Sequence, residues 1–315
     1  MNSPAQADGL RLSRHFRVLA VITWILVAFG ALVRAKKAGL SCPDWPLCLG
    51  EVVPDVKVPG VVYEFGHRAL AGAVSLVFAA GAWRVWKVPS LRTIAKPWLV
   101  GGAVLLLTQI VFGGLTVLIV HKGSGDPRPE TWPVATHLIL GNSFAALCLA
   151  LSDRLASNAQ PLPRRNWSPT ASALARLWMV SLFAQFVLGG LIAGNIAGLV
   201  CTEFPACNGG VWFPAWTGLV GVQILHRLNA YVLFVSAWAL WQTTRNRAHN
   251  QLIFALALLV TLQGVLGAVN IYSAIHTHVT TAHSAVAALL FSLTALLALR
   301  WHRSEAAQTS AGPTR

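Results

Sequence analysis

Eight uninterrupted apolar runs, each about 20 residues long, dominate this chain; they cover roughly residues 17–33, 65–83, 98–120, 132–151, 174–196, 222–241, 252–272 and 280–299. A helix of that length crosses a hydrocarbon core of roughly 30 Å. Inside hydrocarbon no water pairs with the backbone, so a single apolar run must satisfy its own N–H and C=O groups and becomes a helix. The expected fold is an all-α integral membrane protein with eight transmembrane helices. Composition agrees, since 55% of the 315 residues are hydrophobic and 11% are charged, too few charges for a water-soluble surface. The first run lacks a small-residue cleavage site and is followed by basic residues, so it is expected to be retained.

The net charge of +14 does not indicate nucleic acid, because the basic residues flank the spans. With the N-terminus cytoplasmic, sixteen of the 24 Lys and Arg fall on the cytoplasmic side and six on the other. That asymmetry fits the positive-inside rule, although Arg34, Lys36 and Lys37 run against it. The expectation is a multi-pass protein of the cell membrane, with both termini cytoplasmic.

The chain repeats itself. "SCPDWPLC" at 41–48 returns as "VCTEFPAC" at 200–207, an offset of 159 residues. The same offset carries "GALVRAKKAGLSC" from Gly30 onto "GGLIAGNIAGLVC" from Gly189, and His67 and Arg68 onto His226 and Arg227. Gln109 and Gln263 match at an offset of 154, and His137 and His283 at 146. The shrinkage lies mostly in the loop before the fourth span, where insertions are cheap. The expected organisation is two tandem four-helix bundles of the same membrane topology, related by an axis along the membrane normal. The halves are read as 1–151 and 174–302, with a cytoplasmic linker at 152–173 and a tail at 303–315.

His67, His137, His226 and His283 each lie near the start of an even-numbered span, so all four share the outer part of the membrane, two in each half. A single membrane histidine can serve as a hydrogen-bonding group between helices. Polar residues within spans are nonetheless functional candidates, and a repeated pair has the arrangement needed to grip a haem iron from both faces. Zinc fits less well, because no cysteine or carboxylate set completes a tetrahedral site at that depth. His121, His276 and His278 read as solvated or interfacial, and His15, His249 and His302 as peripheral among cytoplasmic arginines.

Arg68 and Arg227 directly follow two of these histidines. They have two readings, contact with haem propionates or snorkelling to lipid headgroups. Gln109, Gln185 and Gln263 share a Gln-x-x-x-Gly spacing, read as close helix approach with glutamine bonding across. The main mismatch between halves is Glu64, whose equivalent is Gln223. Either Glu64 is a charge favoured at a helix N-terminus, or the first half performs a reaction in which a carboxylate takes a proton or stabilises developing charge.

"EFGHR" at 64–68, "LHR" at 225–227, histidines on spans 4 and 8, paired cysteines in the first and third outer loops and the tandem eight-span plan together resemble the haem A synthase family. The likeness covers about residues 16–300, and it is the combination of features that is specific. The resemblance implies oxidation of the C8 methyl of haem O to a formyl group, giving haem A through two hydroxylations and loss of water. It implies that His67 and His137 face the substrate haem, that His226 and His283 hold haem B, and that Glu64 is the catalytic carboxylate. Absence of a flavin or nicotinamide fingerprint and of a non-haem iron triad leaves the haems to carry the chemistry.

In an oxidising outer compartment Cys42 with Cys48, and Cys201 with Cys207, are expected as disulfides. Each closes a short loop for roughly 2 kcal/mol. The loops can serve as rigid covers for a haem pocket, and Cys42 with Cys48 also as a redox pair; Cys148 is a lone packing residue. Haem O synthase and an unidentified electron acceptor are the partners that this reading brings in, beside membrane lipid. A di-haem b-type membrane electron carrier remains the alternative function. A haem transporter needs alternating access, which four histidines on one side disfavour.

Overall fold

The computed structural model describes residues 4–121, 127–159, 167–212, 214, 216–245 and 250–309. Among them eight helices form: α1 (Pro4–Ala35), α2 (Val61–Trp86), α3 (Pro89–Leu118), α4 (Thr131–Ala159), α5 (Pro169–Gly194), α6 (Gly218–Thr244), α7 (Gln251–Tyr272) and α8 (Thr277–Thr309). Each contains a stretch of 22 to 30 residues that is long and apolar enough to cross a membrane. Outward-facing positions stay apolar, as Leu76 (74% exposed) and Val180 (70%) illustrate; these are faces suited to lipid, not to water.

The duplication persists in backbone detail. Lys37 and Ile196, 159 residues apart, both take left-handed φ of 54° just past α1 and α5. The following amides close the same wide turn, Ala38 N–H onto Val33 O at 3.0 Å and Ala197 N–H onto Ile192 O at 2.9 Å, the pattern of a Schellman stop. Where the sequence offset changes, so does the structure. α3 leads into a hairpin of β1 (Val120–His121) and β2 (Arg128–Pro129), whereas α7 ends on the left-handed pair Ala274 and Ile275.

α4 and α8 meet at the centre, α1 lies on α8, and α5 repeats that contact on α4. α2, α3, α6 and α7 are peripheral. The packing within the halves also differs: α1 packs along α4, while α5 and α8 scarcely touch. Each half has its own core, displaced toward one end. In the first, Phe16, Leu19, Phe78, Leu91, Phe144 and Leu151 interlock; in the second, Trp178, Leu182, Leu240, Ile253, Leu256 and Leu297 do. These residues come from the early parts of odd helices and the late parts of even ones, the end of each bundle remote from the four histidines.

Residues 152–173 do not form a linker throughout, because α4 runs to Ala159 and α5 starts at Pro169, capped by Ser168 Oγ accepting from Ala171 N–H at 3.2 Å. The polar residues that suggested a linker are instead buried in α4. Ser152 Oγ donates to Ser13 O at 2.8 Å, and Asp153 is only 8% exposed. Arg300 and Arg303 of α8 both reach Asp153, at 2.6 and 3.5 Å, tying the two halves together. The tail is likewise helical to Thr309. Replacing Asp153 with Ala removes the carboxylate from Arg300, while Arg303 keeps Ser157 Oγ at 3.0 Å, and is expected to cost about 1 kcal/mol. Thermal unfolding in detergent measures it, and an unshifted midpoint would show that the halves do not depend on this link.

Candidate functional site

Each of the four histidines faces a glycine on the preceding helix. A methyl group added at Gly30 would lie 2.9 Å from Cε1 of His67, and one at Gly113 would lie 3.1 Å from Cε1 of His137. The second half repeats this, with 3.4 Å from Gly189 to His226 Cε1 and 3.4 Å from Gly267 to His283 Cε1. Three of these glycines are the ones in the Gln-x-x-x-Gly spacing. Their lack of a side chain makes room for imidazoles, a use that the sequence reading of general helix approach missed; recurrence of Gly30 as Gly189 was the available signal. Gly30→Ala forces the His67 ring to move. Such a change beside a ligand is expected to weaken haem binding in the first half by about 10–100-fold, leaving the second half loaded, as the haem-to-protein ratio would show.

The glutamines orient the rings. Gln109 Nε2 donates to His137 Nε2 at 3.2 Å, and His137 Nδ1 donates to Gln109 O at 3.2 Å. That network assigns the proton to Nδ1 and the lone pair to Nε2, where it accepts from Gln109; a metal held there would take the place of that amide donor. Gln185 Nε2 lies 3.3 Å from His226 Nε2 and donates to His226 O at 3.0 Å. Asn229, also unnoticed in the sequence, fixes Gln185 by donating to its Oε1 at 2.7 Å. His283 Nδ1 is enclosed without a hydrogen-bond partner.

His67 and His137 lie within electrostatic reach of each other, as do His226 and His283. All four side chains are half-buried, yet Nδ1 of His67, His226 and His283 is enclosed without a partner, a costly state for a ring nitrogen. Among the described residues no group of three His, Cys, Asp or Glu converges as a bare metal ion would need. Two imidazoles in each half, against glycine-thinned helices, are side chains that could hold a haem iron.

Above each pair sits a cysteine loop, and both disulfides are formed, Cys42–Cys48 and Cys201–Cys207. The arginines that the sequence offered to propionates are directed at these loops. Arg68 donates to the carbonyls of Cys42, Asp44 and Leu47 at 2.9, 2.9 and 2.7 Å. Arg227 repeats the clamp on Cys201 and Ala206 at 3.2 and 2.7 Å, and adds Pro205 at 3.3 Å. Within the first loop, the Gly50 N–H and then that of Leu49 hold the Asp44 carboxyl below the usual carboxylate range, assisted by the Arg68 charge. Glu203 repeats the turn on Gly209 and Gly210. Trp45 of the first loop rests over Gly114, where an added methyl would lie 2.9 Å from the indole.

Glu64 stands in the first turn of α2 and is 4% exposed. Its Oε1 accepts from Arg68 at 2.6 Å and its Oε2 from the Cys42 N–H at 2.8 Å. Gln223, its counterpart, is equally buried, but its Oε1 has no partner and its Nε2 donates only weakly to Gly198 O at 3.4 Å.

The remaining histidines lie elsewhere. His276 and His278 are exposed, their rings 5.4 Å apart, and His121 pairs with Glu130 at 3.2 Å on the surface. His302 is exposed and His249 falls outside the described residues. His15 is not peripheral as expected. It is half-buried between α1 and α2, with Nε2 3.0 Å from Val77 O. Cys148 is free and buried in α4.

Fold and site together define a membrane protein of two duplicated four-helix bundles, each with an imidazole pair beneath a disulfide-closed loop. The chain belongs to the haem A synthase family: the family described as cytochrome oxidase assembly protein (COX15-CtaA) matches residues 14–58 and 55–295. Heme A synthase of Shewanella oneidensis is 28% identical over 94% of this chain and 98% of its own length. That of Shouchella clausii is 29% identical over 90% and 95%, and that of Symbiobacterium thermophilum 30% over 70% and 71%.

Proposed function

We propose that this protein is an oxidoreductase that converts haem O to haem A by oxidising the C8 methyl to a formyl group. The observation that carries the reading is the asymmetry of an otherwise duplicated site. One histidine pair has a buried carboxylate, Glu64, three residues from His67 on the same helix face; the other has the amide Gln223.

In this reading His67 and His137 bind and orient the substrate haem, and His226 and His283 hold a haem B. Bound haem supplies the redox chemistry that no side chain here provides. Glu64, kept in place by Arg68 and the Cys42 amide, takes up at Oε2 the proton released as the methyl carbon is oxidised. The cysteine loops, pinned by Arg68 and Arg227, cover the two sites; the formyl oxygen is supplied by water or dioxygen. Histidines and cysteine loops face the outer side and both termini the cytoplasm, the orientation supported by the Lys and Arg distribution. A hydrophobic substrate and product favour direct exchange with haem O synthase, with a separate electron acceptor completing the oxidation.

The pigment carried by the purified protein tests the reading. A synthase is expected to hold one haem B per chain together with variable haem O or haem A. Two equivalents of haem B and no haem A from supplied haem O would instead make the protein a di-haem electron carrier.

A further inference from the structure

The two arginines that clamp the cysteine loops differ in charge balance. Arg68 is neutralised by Glu64 at 2.6 Å. Arg227 is more deeply placed, 7% exposed, and among the described residues no Asp or Glu pairs with it. Its companions are three backbone carbonyls and the Phe204 ring at 5.8 Å, and its Nε is enclosed without a partner. The second half therefore buries a net positive charge where the first buries a neutral pair. Both guanidiniums lie on residues next to a proposed ligand, Arg68 beside His67 and Arg227 beside His226, and only the first has a carboxylate at 2.6 Å to balance it.

We propose that Arg227, left unbalanced by Gln223, sets the haem held by His226 and His283 at a higher reduction potential than the haem held by His67 and His137. Ferric haem carries one more positive charge than ferrous haem. A fixed cation at close range in a low-dielectric interior disfavours the ferric form and raises the potential. An electron shared between the halves then resides in the second. Arg227 acts here through the field at the haem and as a loop anchor; it is a positioning residue. The inference rests on haem being bound by the four histidines, as proposed above.

Spectroscopic redox titration of the purified, haem-loaded protein tests it, with each midpoint assigned in a background lacking the other pair (His67→Ala or His226→Ala). The second-half midpoint is expected above the first. Gln223→Glu and, independently, Arg227→Gln are expected to lower the second-half midpoint, and Arg227→Lys to restore it. Glu64→Gln is expected to raise the first-half midpoint. A variant that loses its second-half haem is replaced in the comparison by the other. With haem retained, an unmoved second-half midpoint in Gln223→Glu or Arg227→Gln, or a wild-type order reversed, overturns the inference and leaves the synthase reading intact. Failure of the wild-type protein to bind haem in either half overturns that reading itself.

Discussion

Replacing Glu64 with Gln is expected to lower haem A formation by about 10²–10⁴-fold, the range for loss of a positioned acid–base group, while both haems remain bound. The second half shows why the change should not disturb the fold. There a glutamine, Gln223, already lies buried beneath a cysteine loop whose disulfide and arginine clamp are intact. A glutamine at 64 keeps an oxygen for the Cys42 N–H and loses the charge and the acceptor facing Arg68, whose guanidinium retains the three loop carbonyls. The substitution makes the first site electrostatically resemble the second, so the first-half midpoint is read beside the product, and a drop in product larger than that shift explains assigns proton transfer to the carboxylate. Haem A made at the normal rate would remove Glu64 from the chemistry and reduce it to an anchor for the loop.

Replacing His283 with Ala is expected to remove one of the two bound haems and to end sustained turnover. Its ring is held against Gly267, with Nδ1 enclosed and unpaired, and the nearest histidines in sequence are exposed, His276 just before α8 and His278 in its first turn. The first half shares no ligand with it and should keep its pigment. Haem content per chain, with the spectrum of what remains, is the measurement. Two haems still bound would mean that the pairing by halves is wrong.

Apolar run length alone located the eight helices, because hydrocarbon leaves an apolar segment no other backbone solution. The histidine pairs followed from the repeat, since His67 and His226 recur at the offset of the cysteine loops. Polar residues at the helix ends were harder to read. Ser152, Asp153 and Ser157 look like a linker in one dimension and become buried only through Ser13, Arg300 and Arg303, which are more than 130 residues away in sequence. Arg68 and Arg227 sit beside proposed ligands in the chain, yet consecutive helix residues diverge by about 100°, which turns the guanidiniums up to the loops. The glycines were visible but ambiguous, because a missing side chain does not say what fills the space.

The placement of the two interlocked apolar cores has a consequence for assembly. Phe16, Phe78 and Leu151 on one side and Trp178, Leu240 and Leu297 on the other consolidate the bundles at the end remote from the four histidines. In the proposed reading, loading or release of a porphyrin at the four histidines need disturb only the glycine-thinned end. Such a division suits a catalyst whose cargo must come and go through lipid while its frame stays shut.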